Sequence, residues 1–132
     1  MTKITNGLTK FLPIVLILFG ASQTYACTIS NSDGTSAGKL GDVQPPSHGY
    51  SLYDSSGKLA GQVFNDVDVY NAGNKKVGHI ISGVVFDNKN VPAGEVRNGT
   101  SIYDNFDNLV GQASGCTGSE LHAAEALLLL LQ

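Results

Sequence analysis

Five stretches of this chain, aligned on a recurring turn, carry glycine at the same place: Gly38, Gly61, Gly78, Gly94 and Gly111. The stretches read "ISNSDGTSAGKL", "LYDSSGKLAGQV", "VYNAGNKKVGHI", "VFDNKNVPAGEV" and "IYDNFDNLVGQA". Glycine supplies 16 of 132 residues, so five hits in one register reflect a repeat and not composition. An anchor stands eight residues before each glycine: Ser30, Tyr53, Tyr70, Phe86 and Tyr103. Asn31, Asp54, Asn71, Asp87 and Asp104 follow it, and four residues after the anchor come Gly34, Gly57, Asn74, Asn90 and Asp107.

Turn chemistry accounts for this spacing. An Asp or Asn opening a turn accepts hydrogen bonds from amides two residues on, and three residues later the chain needs a positive φ, which Gly, Asn and Asp tolerate best. A type I turn closed by a bulge fits, so each unit is expected to be a β-hairpin. Leu52, Val69, Val85 and Ile102 precede the anchor, and Val63, Ile80 and Val96 follow ten residues after it, which supplies an apolar strand face. The constant glycine falls within the returning strand. A missing side chain there marks close approach, and either the aromatic anchors or a central element is expected to pack over it.

Between units the chain turns again, at "FNDV" (64–67), at Ser82 and Gly83, and at Asn98 and Gly99. The result is a mainly β, up-and-down meander of four to five hairpin units, near 27–49, 50–66, 67–82, 83–99 and 100–114, the first a degenerate copy with Ser30 in place of the aromatic anchor. The constant glycines are spaced 17, 16 and 17 apart from Gly61 onward, whereas Gly38 stands 23 before Gly61, the excess falling in the loop around Pro45 and Pro46. Such a meander stays open with two bare edges or closes on itself, and closure is expected here.

Lys3 and Lys10, the apolar run "FLPIVLILFGA" and the small residues Thr24 and Ala26 read as a signal peptide, residues 1–26, with export to the periplasm or beyond. Cleavage after Ala26 leaves Cys27 first. Lipid attachment to that cysteine is one outcome, although Thr24 and Tyr25 suit a lipoprotein signal poorly. The other is a disulfide with Cys116, the only other cysteine, and an even pair in an oxidising compartment favours it. Without the two leader lysines the chain has six basic against eleven acidic residues. That balance excludes nucleic acid as a natural partner.

The last sixteen residues, "TGSELHAAEALLLLLQ", break the β pattern. Thr117 with Glu120 is a capping box, and a helix is expected over about 118–131. Leu127–Leu131 cover every direction of it, and a helix apolar all round belongs in a core or in lipid. It is too short to span a bilayer, where about 20 residues are needed. The expected place is inside the ring of hairpins, against the glycines. Gly118, His122, Glu125 and Gln132 form a polar stripe, read either as a lining of a pocket or as the side of the helix nearest the barrel mouth.

Hairpin units with these aromatic, Asx and Gly positions, together with an apolar helix, resemble the four-fold beta flower proteins. The resemblance implies a shallow symmetric barrel of petals around an apolar centre, similar to the Tubby-type barrel with its buried helix. By that analogy alone it points to lipid or other hydrophobic ligands.

For catalysis the sequence offers no metal-ligand spacing among His48, His79 and His122, and no Gly-x-Ser-x-Gly or His-Glu-x-x-His. Asp54, Asp87 and Asp104 sit where turns want them. The chain is read as a non-enzyme without a cofactor or metal. Gln62, His79, Glu95 and Gln112, each following a constant glycine, are the candidate binding positions along one rim, joined by His122 and Glu125 on the helix. Two functions follow: a cell-envelope protein holding a lipid or other hydrophobic molecule at the barrel mouth, or a structural or protein-interaction module presenting its hairpin rim, with the barrel filled by the helix.

Overall fold

The structure is a computed structural model that describes residues 27–42 and 48–132. The expected signal peptide and the Pro45–Pro46 loop lie outside the described residues. Each unit contributes two strands: β1 (Thr28–Asn31) and β2 (Ser36–Asp42), β3 (Gly49–Asp54) and β4 (Leu59–Phe64), β5 (Asp68–Asn71) and β6 (Lys76–Ile81), β7 (Val84–Asp87) and β8 (Pro92–Arg97), β9 (Ser101–Asp104) and β10 (Leu109–Ser114). One helix follows, α1 (Gly118–Leu130). Sequential antiparallel pairing runs through all ten strands, and β10 pairs with β1 to close the barrel. The meander therefore has five full petals, and the degenerate first unit is one of them.

Four of the five tip turns are built as the Asx and glycine positions require; in the first, Asp33 Oδ1 and not Asn31 Oδ1 accepts an amide, that of Thr35 at 3.0 Å. Asp54 Oδ1 accepts the Ser56 and Lys58 amides at 2.9 and 3.0 Å, Asn71 Oδ1 accepts those of Gly73 and Lys75, and Asp87 and Asp104 repeat the pattern. Three residues later φ is positive in every unit, from 62° at Asn90 to 89° at Gly34. Beyond each turn the ladder register slips once, between the residue before the anchor and the anchor itself. That repeated bulge bends and twists each hairpin, which is what a small barrel needs to curl shut. At the other end Asn65 and Asp66, Ser82 and Gly83, and Asn98 and Gly99 all take positive φ, the paired left-handed conformation of the tight turns that join twisted strands.

Inside, the side chains form rings. Ile29, Leu52, Val69, Val85 and Ile102 are at most 1% exposed, and each lies directly across the ladder from a constant glycine. Leu40, Val63, Ile80 and Ala113 form a second buried ring with the half-buried Val96. Ala37, Ala60, Val77, Ala93 and Val110 pack on the same core near the tips.

The helix fills the centre. A β-carbon at each constant glycine would collide with the carbonyl oxygen of the next petal's anchor: Tyr53 for Gly38, Tyr70 for Gly61, Phe86 for Gly78, Tyr103 for Gly94 and, around the closure, Ser30 for Gly111. It would also meet a leucine of α1. Leu127, Leu128, Leu129, Leu130 and Leu131 sit against Gly38, Gly111, Gly94, Gly78 and Gly61 in that order, one leucine to each petal. A helix turns roughly 100° per residue whereas five even petals stand about 72° apart, so the leucine methyls and a relaxed last turn, with Leu131 at φ −119°, take up the difference. Of the two elements expected over the glycines, the central helix is the one that packs there. The aromatic rings lie on the outer wall, and only the anchors' backbone reaches the glycines.

The helix is fixed at its start. Cys27 and Cys116 are joined by a disulfide, which leaves no free thiol at Cys27 for a lipid. Immediately after it, Thr117 Oγ1 accepts the Glu120 amide and Glu120 Oε1 accepts the Thr117 amide, completing the capping box. Tyr50, on β3, bonds Ser119 through its hydroxyl at 2.8 Å.

Candidate functional site

Gln62, His79, Glu95 and Gln112 occupy the outer wall. Each alternates with an inward-facing glycine, and each stands across the ladder from the anchor of the next petal: Tyr70, Phe86, Tyr103 and Ser30. They form a girdle around the outside and do not line a mouth. Lys39, paired with Tyr53, is its fifth member. The sequence carried the signal, because Lys39 also follows a constant glycine. His79 stacks on Phe86 at 5.2 Å and 10°. Arg97 lies 4.3 Å over the Tyr103 ring and donates to Glu95 at 3.0 Å and to Asp107. These contacts tile aromatic faces with polar groups and cover them partly from water.

His122 and Glu125 are brought together, apart from the girdle. One turn apart on α1, they share a hydrogen bond of 2.9 Å between Nδ1 and Oε2. Glu125 has no exposed surface, and its Oε1 has no hydrogen-bond partner among the described residues. Burial pushes its carboxyl up to about 7, with Glu95 adding to the rise, while His122 pulls it down and the Val96 amide pulls weakly from outside bonding geometry. The His122 side chain keeps 31% of its surface exposed and lies beside the Ser82–Gly83 turn. The stripe thus divides: Gly118 and Gln132 are exposed at the two ends of the helix, and the pair between them runs from the mouth into the core.

The tip carboxylates are engaged by their own turns. Ser56 holds Asp54 below the usual carboxylate range, the Val91 amide does the same for Asp87, and the Asn108 amide for Asp104. Among the described residues no group of three or more His, Cys, Asp or Glu side chains is placed to hold a metal ion. Clefts of about 140 to 330 Å³ open between neighbouring petals near the tips. The largest is lined by Asn71, Lys75, Lys76, Val77, Asp87 and Lys89, among others.

The fold and this arrangement define a class: an up-and-down antiparallel barrel plugged by its own C-terminal helix. No family model, curated protein or solved structure matches the chain.

Proposed function

We propose that this is a non-catalytic protein of the cell envelope, exported by its leader, whose work is done by the outer surface of the barrel in contact with another protein. The observation that supports this over an apolar-ligand carrier is the seating of Leu127–Leu131 on the five constant glycines, because it gives the apolar centre to the chain's own helix. What is left for recognition is the girdle and the hairpin tips, where Phe106 stands 81% exposed and Val91 47%. Exposed aromatic and aliphatic side chains rimmed by polar groups are the usual anchors of protein contacts. Kinship with the four-fold beta flower proteins belongs to the same proposal: the hairpin unit and the central helix are alike, and the petal count here is five.

The test is chemical crosslinking and pull-down from envelope extracts with wild-type protein and with Phe106→Ser, beside lipid extraction of the purified protein. A discrete protein partner weakened by Phe106→Ser, with no stoichiometric lipid, agrees with the proposal. A lipid released at one per chain would return the function to the barrel mouth.

A further inference from the structure

Among the described residues, the one charged side chain that the fold buries completely is carried by the plug. Glu125 sits midway along α1, inside a barrel whose lining is aliphatic, with Ile29, Leu52, Val69, Val85 and Ile102 on one level and Leu40, Val63, Ile80, Val96 and Ala113 on the other. Two ionisable groups reach it. His122 on its own helix bonds Oε2, and Glu95, on the outer face of β8 where Arg97 holds it together with Asp107, repels it from a distance. Oε1 has no donor among the described residues.

We propose that His122 and Glu125 are a proton-held latch for the plug: one shared proton keeps α1 seated in the barrel, and loss of that proton loosens it. With the proton present, either Oε2–H donates to Nδ1 or a protonated Nδ1–H donates to a carboxylate, and the pair is neutral overall in both forms. With the proton gone, a neutral imidazole still donates one hydrogen bond, but a full negative charge remains among aliphatic side chains, with Oε1 bare and Glu95 repelling it. An uncompensated buried charge is among the costliest arrangements a core can hold. Among the described residues no side chain donates to Oε1, and the Tyr50 hydroxyl on the wall is engaged by Ser119, so relief comes from moving Glu125 toward the mouth that His122 already reaches. The disulfide and the capping box hold the start of the helix, which confines the change to a local unseating. This inference stands whether or not the hairpin rim has a protein partner.

The experiment is hydrogen exchange of the α1 amides in the disulfide-intact protein, corrected for intrinsic rates, across about pH 5.5 to about pH 8.5. Protection of α1 is expected to fall about tenfold or more through neutrality, in excess of any change in the strand amides, and to stay flat in Glu125→Gln. Carbon-detected titration of the wild-type Glu125 carboxyl is the second readout, and it needs no variant to fold. A midpoint near neutrality, sensed also at the His122 ring, supports the latch. A midpoint in the ordinary carboxylate range, or a Glu125→Gln exchange profile that follows wild type, overturns it.

Discussion

Leu129 occupies the space that a side chain at residue 94 would need. A β-carbon built on Gly94 lies 2.8 Å from Leu129 Cδ2 and closer still to the Tyr103 carbonyl, so helix and neighbouring petal both depend on the missing atom.

Gly94→Ala is accordingly expected to destabilise by about 2 to 4 kcal/mol, at or above the upper part of the overpacking range, since a ladder carbonyl must move as well as a leucine. Gly57→Ala is the control. It has open space around it and a φ of +85°, so its cost is the backbone term alone, about 1 kcal/mol. Urea unfolding midpoints at unchanged slope measure both.

The leucines are graded by depth. Leu127 is fully buried, and Leu127→Ala is expected to cost about 3 to 5 kcal/mol. Leu131 lies half-exposed at the helix end, and its replacement by Ala is expected to cost about 1 to 2 kcal/mol. Equal losses at the two positions would contradict the placement of the plug.

The Cys27–Cys116 bridge spans 89 residues and ties the first strand to the start of the helix. Replacing both cysteines with serine is expected to lower stability by roughly 4 kcal/mol through the entropy of the unfolded chain. Intact mass before and after reduction, rising by two hydrogens, checks that the bridge is formed.

The pH dependence has a definite sign. Glu125 has its carboxyl raised from 4.5 to about 7 by burial, so between those values the folded protein holds a proton that the unfolded chain has released. Its contribution to stability is fully present below about 4.5 and is lost as pH rises through about 7, a decline of up to roughly 3 kcal/mol from this group. Asp54, Asp87 and Asp104 act oppositely. Their turn hydrogen bonds hold them below the usual range, so their contribution is present above it and fades in acid. Thermal unfolding followed against pH should show stability rising to a maximum on the acid side of neutrality, and Glu125→Gln should abolish the fall on the alkaline side.

Most of the barrel could be read from the residues because its local rules are written in single positions. The Asx that opens four of the five tip turns, the positive-φ residue three later, the capping box of Thr117 and Glu120 and the paired cysteines each have one structural use. The direction of Tyr53, Tyr70, Phe86 and Tyr103 was not legible in the same way. Alternation sets each ring opposite the buried residue before it, but which face closes inward is decided only by the barrel, and the bulge falls on the returning strand, at Ala37, Ala60, Val77, Ala93 and Val110. Ala37, Ala60, Val77, Ala93 and Val110 escaped notice as a ring because alanine and valine carry little signal beside a glycine. The girdle positions could be found by register, but their outward facing depends on which side of the sheet closes. For Glu125, helical spacing marked the stripe with His122, and only the assembled barrel shows that the carboxylate is its fully buried member.

The central claim is that each of five consecutive leucines meets one petal's glycine. Methyl-to-Hα nuclear Overhauser contacts, with stereospecifically labelled leucines, test it directly. The expected contacts run from Leu127 to Gly38, Leu128 to Gly111, Leu129 to Gly94, Leu130 to Gly78 and Leu131 to Gly61, in that circular order. Contacts from several leucines to a single petal, or none between the helix and the glycines, would contradict it.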